Sequence, residues 1–494
     1  MANPSATSKG QDEADVPQQP AGCSVFSKSC DLPVSKIDAF AYHERPGALQ
    51  RLIPPFDPSV VESHSGTITD GSRAVVAVRL PVLPIRIRLI AEHTGYQPPD
   101  KFEDFQRQGP FAFWHHVHRF ESAMGSNDPQ RSSLADEITY KLPLGAFGAF
   151  LGSSLVRRQL DQMFSYRHHT TMHDLSLADE YQLSPQRIAI SGGSGLVGSN
   201  FTALATLLGH SVVPIVRGDG RDENEIAIWA DDGKSQAGKF ADVDTVIHLA
   251  GKPIAEGRWT DAMKESIRDS RTVKTRQLCE RLAALPDSQR PKTLICASAS
   301  GYYGSRGDEQ LSEDSPVGEG FLAEVCINWE KACQPAIQAG IRVVHARFGI
   351  ILSPNSGALQ KLLTPTKLGA GGPVGNGQHW WPWIGIDDAL GGLYHLIAKP
   401  EIHGSVNFAA PESARQKEFA KVLGRVLNRP SFMPAPAFAM RLLLGEMADH
   451  LLLTSCRMQP QRLLDTGYQF RFPDLESCLR HLLGRRTLTQ ASGK

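Results

Sequence analysis

A cluster of small residues near the middle of the chain has the spacing of a phosphate-binding turn. An apolar run, residues 188–190, precedes the cluster as a buried parallel strand would, and a helical pattern follows it directly. Such a turn needs backbone without side chains, because amide N–H groups must approach a pyrophosphate whose charge the helix N-terminus favours. We therefore predict a dinucleotide site; the alternative is an ordinary tight turn. The residues are Gly192, Gly193, Ser194, Gly195, Leu196, Val197 and Gly198.

Arg217 follows the next predicted strand, residues 212–216, roughly 20 residues beyond the glycine turn, where dinucleotide folds test the adenosine ribose. An acidic residue there would bind the 2′-hydroxyl of NAD, whereas arginine offers a fork of donors to the 2′-phosphate of NADP. We therefore favour NADP(H) over NAD(H). Two alternatives stay open: Asp219 lies near enough to suit NAD, and a solvated surface arginine is the other role open to Arg217. Pro214 is awkward inside a strand, because proline cannot donate to the ladder.

Three further residues, Leu249, Ala250 and Gly251, close another predicted strand, residues 245–249. Small residues there would let the backbone approach the cofactor. Arg271 lies on the following helix, predicted over residues 261–285, and could reach a phosphate; a surface ion pair explains it equally well.

Length and composition bound the possible classes of protein. The 494 residues exceed one ordinary core, so two or three domains are expected. The 52 basic and 52 acidic residues cancel, and nothing indicates a nucleic-acid partner. The eight cysteines show no metal-ligand spacing and are typical of reduced thiols in a cytoplasmic protein. No stretch approaches the ~20 apolar residues of a membrane span, so we expect no integral membrane segment.

Composition and periodicity divide the chain into five segments. Residues 1–32 are polar and predict a disordered tail. Residues 33–182 alternate strand-like stretches with turn signals and end in a helical stretch, which predicts an antiparallel meander closed by a helix. Residues 183–410 alternate strands with helices, typical of a Rossmann-type doubly wound parallel sheet. Residues 411–486 predict a mainly helical, substrate-side segment, and residues 487–494 a polar tail.

The second segment resembles a known superfamily. Residues 39–48, Ala-Phe-Ala-Tyr-His-Glu-Arg-Pro-Gly-Ala, and residues 51–55, Arg-Leu-Ile-Pro-Pro, are similar to the start of polyketide cyclase/START-like (SRPBCC) domains. The likeness continues through residues 91–93, 105–111 and 114–118. The resemblance implies an α+β helix-grip domain that binds apolar molecules such as lipids or quinones.

Three histidines of this segment are candidate ligands of a metal ion. His116 and His118 share one face of the predicted strand, with His115 on the other, because alternate residues point the same way. Imidazoles at i and i+2 can meet one ion, but the sequence places no third ligand. We therefore expect hydrogen-bonded or pocket-lining histidines and no metal site.

The larger part of the chain, about residues 187–483, resembles an atypical, epimerase-like extended short-chain dehydrogenase/reductase of the NAD-dependent epimerase/dehydratase family. Fusion to a START-like domain also occurs in that subgroup. The motifs that carry the likeness are residues 191–198, 248–251, 298–304 and 347–349, narrowed by residues 329–330, 375–378, 383–388, 445–460 and 467.

The resemblance implies a catalytic serine, a tyrosine that moves the alcohol proton, and a lysine four residues later. Ser298 matches the serine. Counting back from Glu330 puts Leu322 and Cys326 at the other two places, and neither can do the proton chemistry. Tyr302 or Tyr303 is the candidate replacement. Other pocket candidates are Glu324, Gln378 and His379, with Trp380, Trp381 and Trp383 as walls or core and Asp388 as the cap of a helix beginning at Ala389.

Two functions fit these observations. The first is an NADP(H)-dependent reductase or epimerase-like enzyme acting on a small or apolar carbonyl or alcohol, with Ser298 holding the substrate oxygen and the START-like domain binding or delivering the substrate. The second is a non-catalytic NADP(H)-sensing protein coupled to a lipid- or quinone-binding domain. The missing tyrosine and lysine favour the second, and the glycine turn, Arg217 and Ser298 fit either.

Overall fold

The computed structural model describes residues 18–79, 85–123, 130–143, 145–218, 220, 222–229 and 237–485. The chain forms two compact units, which divide between Ser176 and Leu177, with residues 54–56 also belonging to the second unit. The division lies a few residues before the predicted boundary at 182. The first 17 residues and the predicted tail at 487–494 lie outside the described residues.

The first unit is built on a seven-stranded antiparallel sheet. Its strands are β1 (Ser24–Leu32), β2 (Val60–His64), β3 (Arg73–Arg79), β4 (Arg86–Gln97), β5 (Lys101–Gln108), β6 (Phe113–Ser122) and β7 (Ser132–Lys141). Their order across the sheet is β1-β7-β6-β5-β4-β3-β2, so β2 to β7 form a meander and β1 covers the edge of β7.

Strand β1 corrects the predicted disordered tail, which is wrong for residues 24–32. The strand pairs with β7 from Ser24 opposite Tyr140 to Leu32 opposite Ser132. Phe26 and Leu32 are the two fully buried residues of the strand, and Lys28 on the same face is half-buried. The Lys28 ammonium donates to Asp161 and Ser165, both on the long helix that closes the unit, at 2.8 and 2.7 Å. A strand is held in a sheet by hydrogen bonds of its backbone, which a polar sequence can also form. Composition describes only the side chains, and for that reason it indicated disorder here.

Three helices pack in the first unit: α1 (Lys36–Glu44), α2 (Ala48–Leu52) and α3 (Gly145–Tyr181). On α3, Leu160 and Phe164 are buried against Phe26, Ile138 and Tyr140 of the sheet. Helix α3 has 37 residues, whereas the apolar stripe in the sequence predicts a helix only over about residues 147–164. Its last residues, from Leu177 onward, belong to the second unit.

The second unit contains a six-stranded parallel sheet. The strands of the whole second unit are β8 (Arg187–Ser191), β9 (Ser211–Ile215), β10 (Thr245–His248), β11 (Thr293–Ala299), β12 (Gln310–Leu311), β13 (Arg342–Phe348), β14 (Ile350–Leu352), β15 (Trp380–Trp381), β16 (Trp383–Gly385), β17 (Gly404–Phe408), β18 (Ala414–Arg415) and β19 (Arg457–Met458). The main sheet has the order β17-β13-β11-β10-β8-β9, and the other strands form three short pairs. This is the predicted Rossmann-like sheet.

Strand β9 is the edge of that sheet, which accounts for Pro214. Ile226 donates its N–H to the Pro214 carbonyl at 2.9 Å on the side away from β8. A residue's N and carbonyl share one side of a strand, so the proline nitrogen also faces outward and costs no ladder bond to β8.

The helices of the second unit are α4 (Leu196–Leu207), α5 (Asp261–Asp269), α6 (Thr272–Ala283), α7 (Phe321–Lys331), α8 (Gln334–Gln338), α9 (Gly357–Lys367), α10 (Ile386–Ala398), α11 (Gln416–Leu427), α12 (Ala437–Leu444), α13 (Glu446–Leu451), α14 (Gln461–Asp465) and α15 (Leu475–Leu482). The predicted helix over 261–285 is therefore two helices, broken at Ser270 and Arg271. None of the helices in the described ranges has both the length and the apolar character needed to cross a bilayer.

Candidate cofactor and catalytic site

The glycine turn between β8 and α4 is shaped by steric limits. Gly192 has a φ of +74°, and a Cβ there would lie 2.8 Å from the Ala250 nitrogen. A Cβ at Gly198 would lie 2.3 Å from the Gly192 carbonyl oxygen, so only glycine lets α4 pack against the turn. A Cβ at Gly193 would meet nothing within 4 Å. The turn is therefore tight against the protein and open in front of the helix, as a bound pyrophosphate requires.

The turn lies where the strand order of the sheet reverses. Strands β8 and β10 are neighbours, while β9, which comes between them in the chain, lies on the other side of β8. The Leu249 N–H donates to the Ser191 carbonyl at 3.1 Å, which brings residues 249–251 beside the turn. In open parallel sheets, ligands bind at the carboxyl ends of the strands at such a switch point.

Arg271 lies at the break between α5 and α6, beside Gly251. A Cβ at Gly251 would be 3.3 Å from the Arg271 guanidinium carbon. The guanidinium donates to the Lys252 and Ile267 carbonyls at 3.0 and 3.2 Å, and its carbon lies 5.0 Å from the centre of the Trp329 ring. Burial lowers the pKa of Arg271, yet a guanidinium stays charged at neutral pH. The two carbonyl contacts, together with one to the Ser270 hydroxyl at 3.4 Å, join the Arg271 guanidinium to neutral oxygens of the protein.

Arg217 is exposed two residues beyond the end of β9. It thus lies at the carboxyl end of the strand that neighbours β8. Asp219, the residue that would favour NAD(H) over NADP(H), lies outside the described residues.

Ser298 is bound into a buried ion pair. Its hydroxyl donates to Glu330 Oε1 at 2.7 Å, and Glu330 on α7 accepts from Arg347 at 2.8 and 2.9 Å. Ser298 on β11 and Arg347 on β13 are paired in the ladder. The Arg347 side chain is only 3% exposed. Burial lowers its pKa, but hydrogen bonds to Glu330 and Tyr303 more than offset this and hold the pKa of Arg347 above its ordinary value.

The two tyrosines after Ser298 have different surroundings. Tyr303 is fully buried, donates to Asn407 Oδ1 at 2.7 Å and accepts from Arg347 at 2.9 Å. Burial raises the pKa of Tyr303 to about 12, against the opposing effect of Arg347. Tyr302 is partly exposed, and its ring centre lies 3.4 Å from the Arg347 guanidinium carbon. Tyr303 is therefore an aromatic residue packed in the interior, whereas the Tyr302 side chain is partly open to solvent.

Leu322 and Cys326 lie where counting along α7 put them, against the turn that follows Ser298. A Cβ at Gly301 would lie 3.1 Å from Leu322 Cβ and 3.6 Å from Cys326 Sγ. Burial and the charge of Glu330 raise the pKa of Cys326 to about 12. The thiol therefore stays protonated at neutral pH, and neither Leu322 nor Cys326 replaces the acid–base chemistry of the missing tyrosine and lysine.

The remaining candidates are dispersed. Glu324 and Gln378 are exposed, and His379 is buried, which lowers its pKa. Trp381 and Trp383 belong to the core, while Trp380 lies against Arg415 and Arg457.

The predicted role of Asp388 as a helix cap is wrong. Helix α10 already begins at Ile386. The Asp388 carboxylate instead accepts the N–H groups of Arg471 and Phe472 at 2.7 and 3.0 Å, so it anchors the loop between α14 and α15 to α10. A local capping pattern cannot reveal a partner more than 80 residues away.

In the first unit, His116 and His118 share a face as predicted, but the sequence interpretation missed their partners. Asp104 and Asp136 lie directly opposite these histidines on β5 and β7. His115 points the other way, 2.8 Å from Glu103. The signal that could have found Asp104 and Asp136 is the strand register, which the sequence alone does not fix.

Comparison with known proteins agrees with this geometry. Residues 188–408 match the family model "NAD dependent epimerase/dehydratase family", and residues 435–482 match a domain of unknown function, DUF1731. An epimerase family protein of Mycobacterium bovis is 38% identical over 298 residues, which cover 60% of this chain and 98% of the relative.

Two solved structures are also similar. A nucleoside-diphosphate sugar epimerase from Corynebacterium glutamicum has a TM-score of 0.72 at 30% identity, covering 93% of this chain and 90% of that one. The human epimerase family protein SDR39U1, solved with NADPH, has a TM-score of 0.55 at 31% identity, covering 60% of this chain and 99% of that one. The glycine turn at the switch point, the parallel sheet and these relatives together show that the chain belongs to the NAD-dependent epimerase/dehydratase family.

Proposed function

We propose that the second unit binds NADP(H) and acts as a reductase or epimerase-like enzyme on a small or apolar carbonyl or alcohol. The observation that carries the proposal is the glycine turn, which is closed by Gly192 and Gly198 but open at Gly193. The residues proposed to hold the dinucleotide are those of the turn (192–198), Leu249, Ala250, Gly251, Arg217 and Arg271. When bound, the nicotinamide supplies the hydride chemistry, and the protein supplies orientation and electrostatics.

Two arginines support NADP(H), which carries an additional 2′-phosphate, as the cofactor. Arg217 is exposed at the end of β9, where a guanidinium can pair with a 2′-phosphate. Arg271 presents a cation beside Gly251, and its hydrogen bonds among the described residues go to carbonyl and hydroxyl oxygens. The human relative was solved with NADPH, which is consistent with NADP(H) here.

The substrate would lie above Ser298 and Tyr302. Because Ser298 donates its proton to Glu330, its oxygen can accept a hydrogen bond from a substrate hydroxyl. Tyr302 is the phenol proposed to exchange the substrate proton, with Arg347 stacked on its ring and able to stabilise the phenolate.

The C-terminal helices support a substrate-side role. Arg258, in the loop after β10, donates to the Leu443 carbonyl at 3.2 Å, and Trp259 stacks on His450 with ring centres 5.5 Å apart. Helices α12 and α13 therefore border the same loop that begins at the proposed cofactor site.

The second candidate is a non-catalytic NADP(H) sensor, and one observation favours it. Leu322 and protonated Cys326 occupy the part of α7 where the family places its tyrosine and lysine. In this alternative the dinucleotide would bind without turnover.

For the first unit we propose a START-like, apolar-ligand-binding domain. Its antiparallel sheet and long closing helix support this proposal. A cavity of about 20 Å³ among the described residues is lined by apolar and polar side chains, among them Leu52, Leu134, Arg167 and His168. It has room for about one water, so a lipid or quinone would need a larger space. The eight free cysteines are what a reducing compartment maintains, and we propose a cytoplasmic location.

The test follows NADPH oxidation by the full chain with a panel of aliphatic aldehydes and benzoquinone. In separate samples that contain NADP⁺, it follows the conversion of UDP-glucose to its epimer by chromatography. An enzyme should oxidise NADPH with one of the carbonyls or epimerise the sugar, and Tyr302→Phe should lower that rate while leaving NADPH affinity nearly unchanged. Tyr303→Phe tests the fold rather than the chemistry, because that hydroxyl is enclosed. NADPH binding with no turnover across the panel would instead support the sensor.

A further inference from the structure

We propose that the first unit holds a divalent transition-metal ion of the Zn²⁺ class, bound by Asp104, His116 and His118. One ligand atom from each of these residues lies within 4.8 Å of the other two. Asp104 Oδ2 is 2.9 Å from His116 Nδ1 and 3.6 Å from His118 Nε2. Ligands about 2.0–2.1 Å from a tetrahedral Zn²⁺ are separated by roughly 3.3 Å, which these two distances bracket.

The sheet builds this arrangement through its register. Asp104 on β5 is directly opposite His116 on β6, and His118 is two residues further along the same face. Residues opposite each other in an antiparallel pair have Cβ atoms about 4.5–5.5 Å apart, close enough to share one ion. Phe102, opposite His118, stacks on its ring with centres 4.1 Å apart and fixes the ring's orientation.

Asp136 orients both imidazoles from behind. Its Oδ1 atom lies 2.9 Å from His116 Nε2 and 2.7 Å from His118 Nδ1, the ring nitrogens that face away from the proposed ion. His168 on α3 lies against the other oxygen of Asp136 at 2.5 Å. A carboxylate on the far nitrogen of each histidine is the usual second layer of a metal site, because it fixes the tautomer and makes the ligand more basic.

The ligand types select the metal. Two imidazoles and one carboxylate suit Zn²⁺ or Fe²⁺, whereas Mg²⁺ and Ca²⁺ prefer oxygen-only sets. The side chains of His116 and Asp136 are each only 3% exposed, so the site is enclosed. Three protein ligands leave the fourth position of a tetrahedral ion free for a water or a small ligand. This site is independent of the dinucleotide site of the second unit.

The test uses the full chain, loaded with Zn²⁺ and dialysed, with metal content measured by mass spectrometry. The wild type should retain one ion per chain, and His116→Ala and His118→Ala should each lose it. Asp136→Asn should keep the ligands but weaken affinity roughly 10–100-fold. His115→Ala is the matched control, since it lies on the same strand and faces Glu103, and it should bind like the wild type.

X-ray absorption of the zinc-loaded wild type keeps the proposal testable even if variants misfold. Only nitrogen and oxygen neighbours, at about 2.0–2.1 Å, are expected. Sulfur neighbours at about 2.3 Å would move the ion to the cysteines and overturn the proposal. So would a wild type that retains no metal, because the cluster would then be an ion-pair network alone, and so would a loss in His115→Ala equal to that in His118→Ala.

Discussion

At the scale of single residues, the Ser298 hydroxyl donates its only proton to Glu330, and Glu330 in turn holds the buried Arg347. Glu330 therefore has two roles that can be separated. It fixes the orientation of Ser298, and it supplies the anion that a guanidinium only 3% exposed requires. Losing one partner of a buried pair leaves the other charge uncompensated.

The first prediction concerns this pair. Glu330→Gln should lower the free energy of unfolding of the second unit by about 3–5 kcal/mol, because Arg347 would be left buried without an anion. Urea unfolding followed by circular dichroism measures the change. Glu324→Gln is the control, since Glu324 lies on the same helix but is exposed, and it should have little effect. Equal effects of the two substitutions would show that the Glu330–Arg347 pair does not support the fold.

At the scale of elements, different glycines of the turn between β8 and α4 serve helix packing and cofactor binding. Gly198→Ala should displace α4, because its Cβ would lie 2.3 Å from the Gly192 oxygen, and should lower both stability and NADPH affinity. Gly193→Ala should leave the melting temperature nearly unchanged but weaken NADPH binding, because its Cβ would enter the space proposed for the pyrophosphate. Gly238→Ala, also in open surroundings, is the control. Unchanged NADPH affinity in Gly193→Ala would remove the turn from the site.

The three helices of the first unit are tied by one carboxylate. Asp174 on α3 accepts two hydrogen bonds from Arg51 on α2, each at 2.8 Å, and one from Tyr42 on α1. Burial raises the pKa of Asp174, but Arg51 more than offsets this and lowers it to about 2.

The resulting prediction is a pH dependence. The folded pKa of about 2 lies below the ordinary value of about 3.9, so the stabilisation is complete above about pH 4 and is lost as the pH falls through about 2. Asp174→Asn should cost about 3–5 kcal/mol at neutral pH. Its deficit relative to the wild type, measured by urea unfolding of the first unit, should shrink between about pH 4 and pH 2. A deficit constant across that range would contradict the assigned charge interaction.

Local patterns predicted the elements better than the contacts between them. The glycine turn, the meander and the parallel sheet each follow from periodicity and glycine spacing over short stretches. The break at Ser270 and Arg271 was missed because both halves of the predicted helix share one periodicity. Three contacts were also missed, Ser298 with Glu330, Asp388 with Arg471 and Asp104 with His116, because each depends on register or on helix placement across many residues.

At the scale of the whole molecule, the two units should separate at the observed division rather than at the predicted one. Leu177 is buried in the core of the second unit, and the Tyr181 hydroxyl lies 2.8 Å from His395 Nδ1. A fragment beginning at residue 177 should therefore melt at a higher temperature than one beginning at residue 184. Equal melting temperatures would show that the end of α3 adds nothing to the second unit.

The most direct test of the account is a calorimetric titration of the full chain with NADPH and with NADH at one fixed salt concentration. We expect one dinucleotide per chain, with NADPH bound more tightly than NADH, and we expect Arg217→Asp to shrink or invert that preference, because a carboxylate repels the 2′-phosphate. Arg276→Asp, at an exposed arginine on α6, should leave the preference unchanged. Equal affinities for NADPH and NADH in the wild type, or no binding of either, would contradict the proposed NADP(H) site.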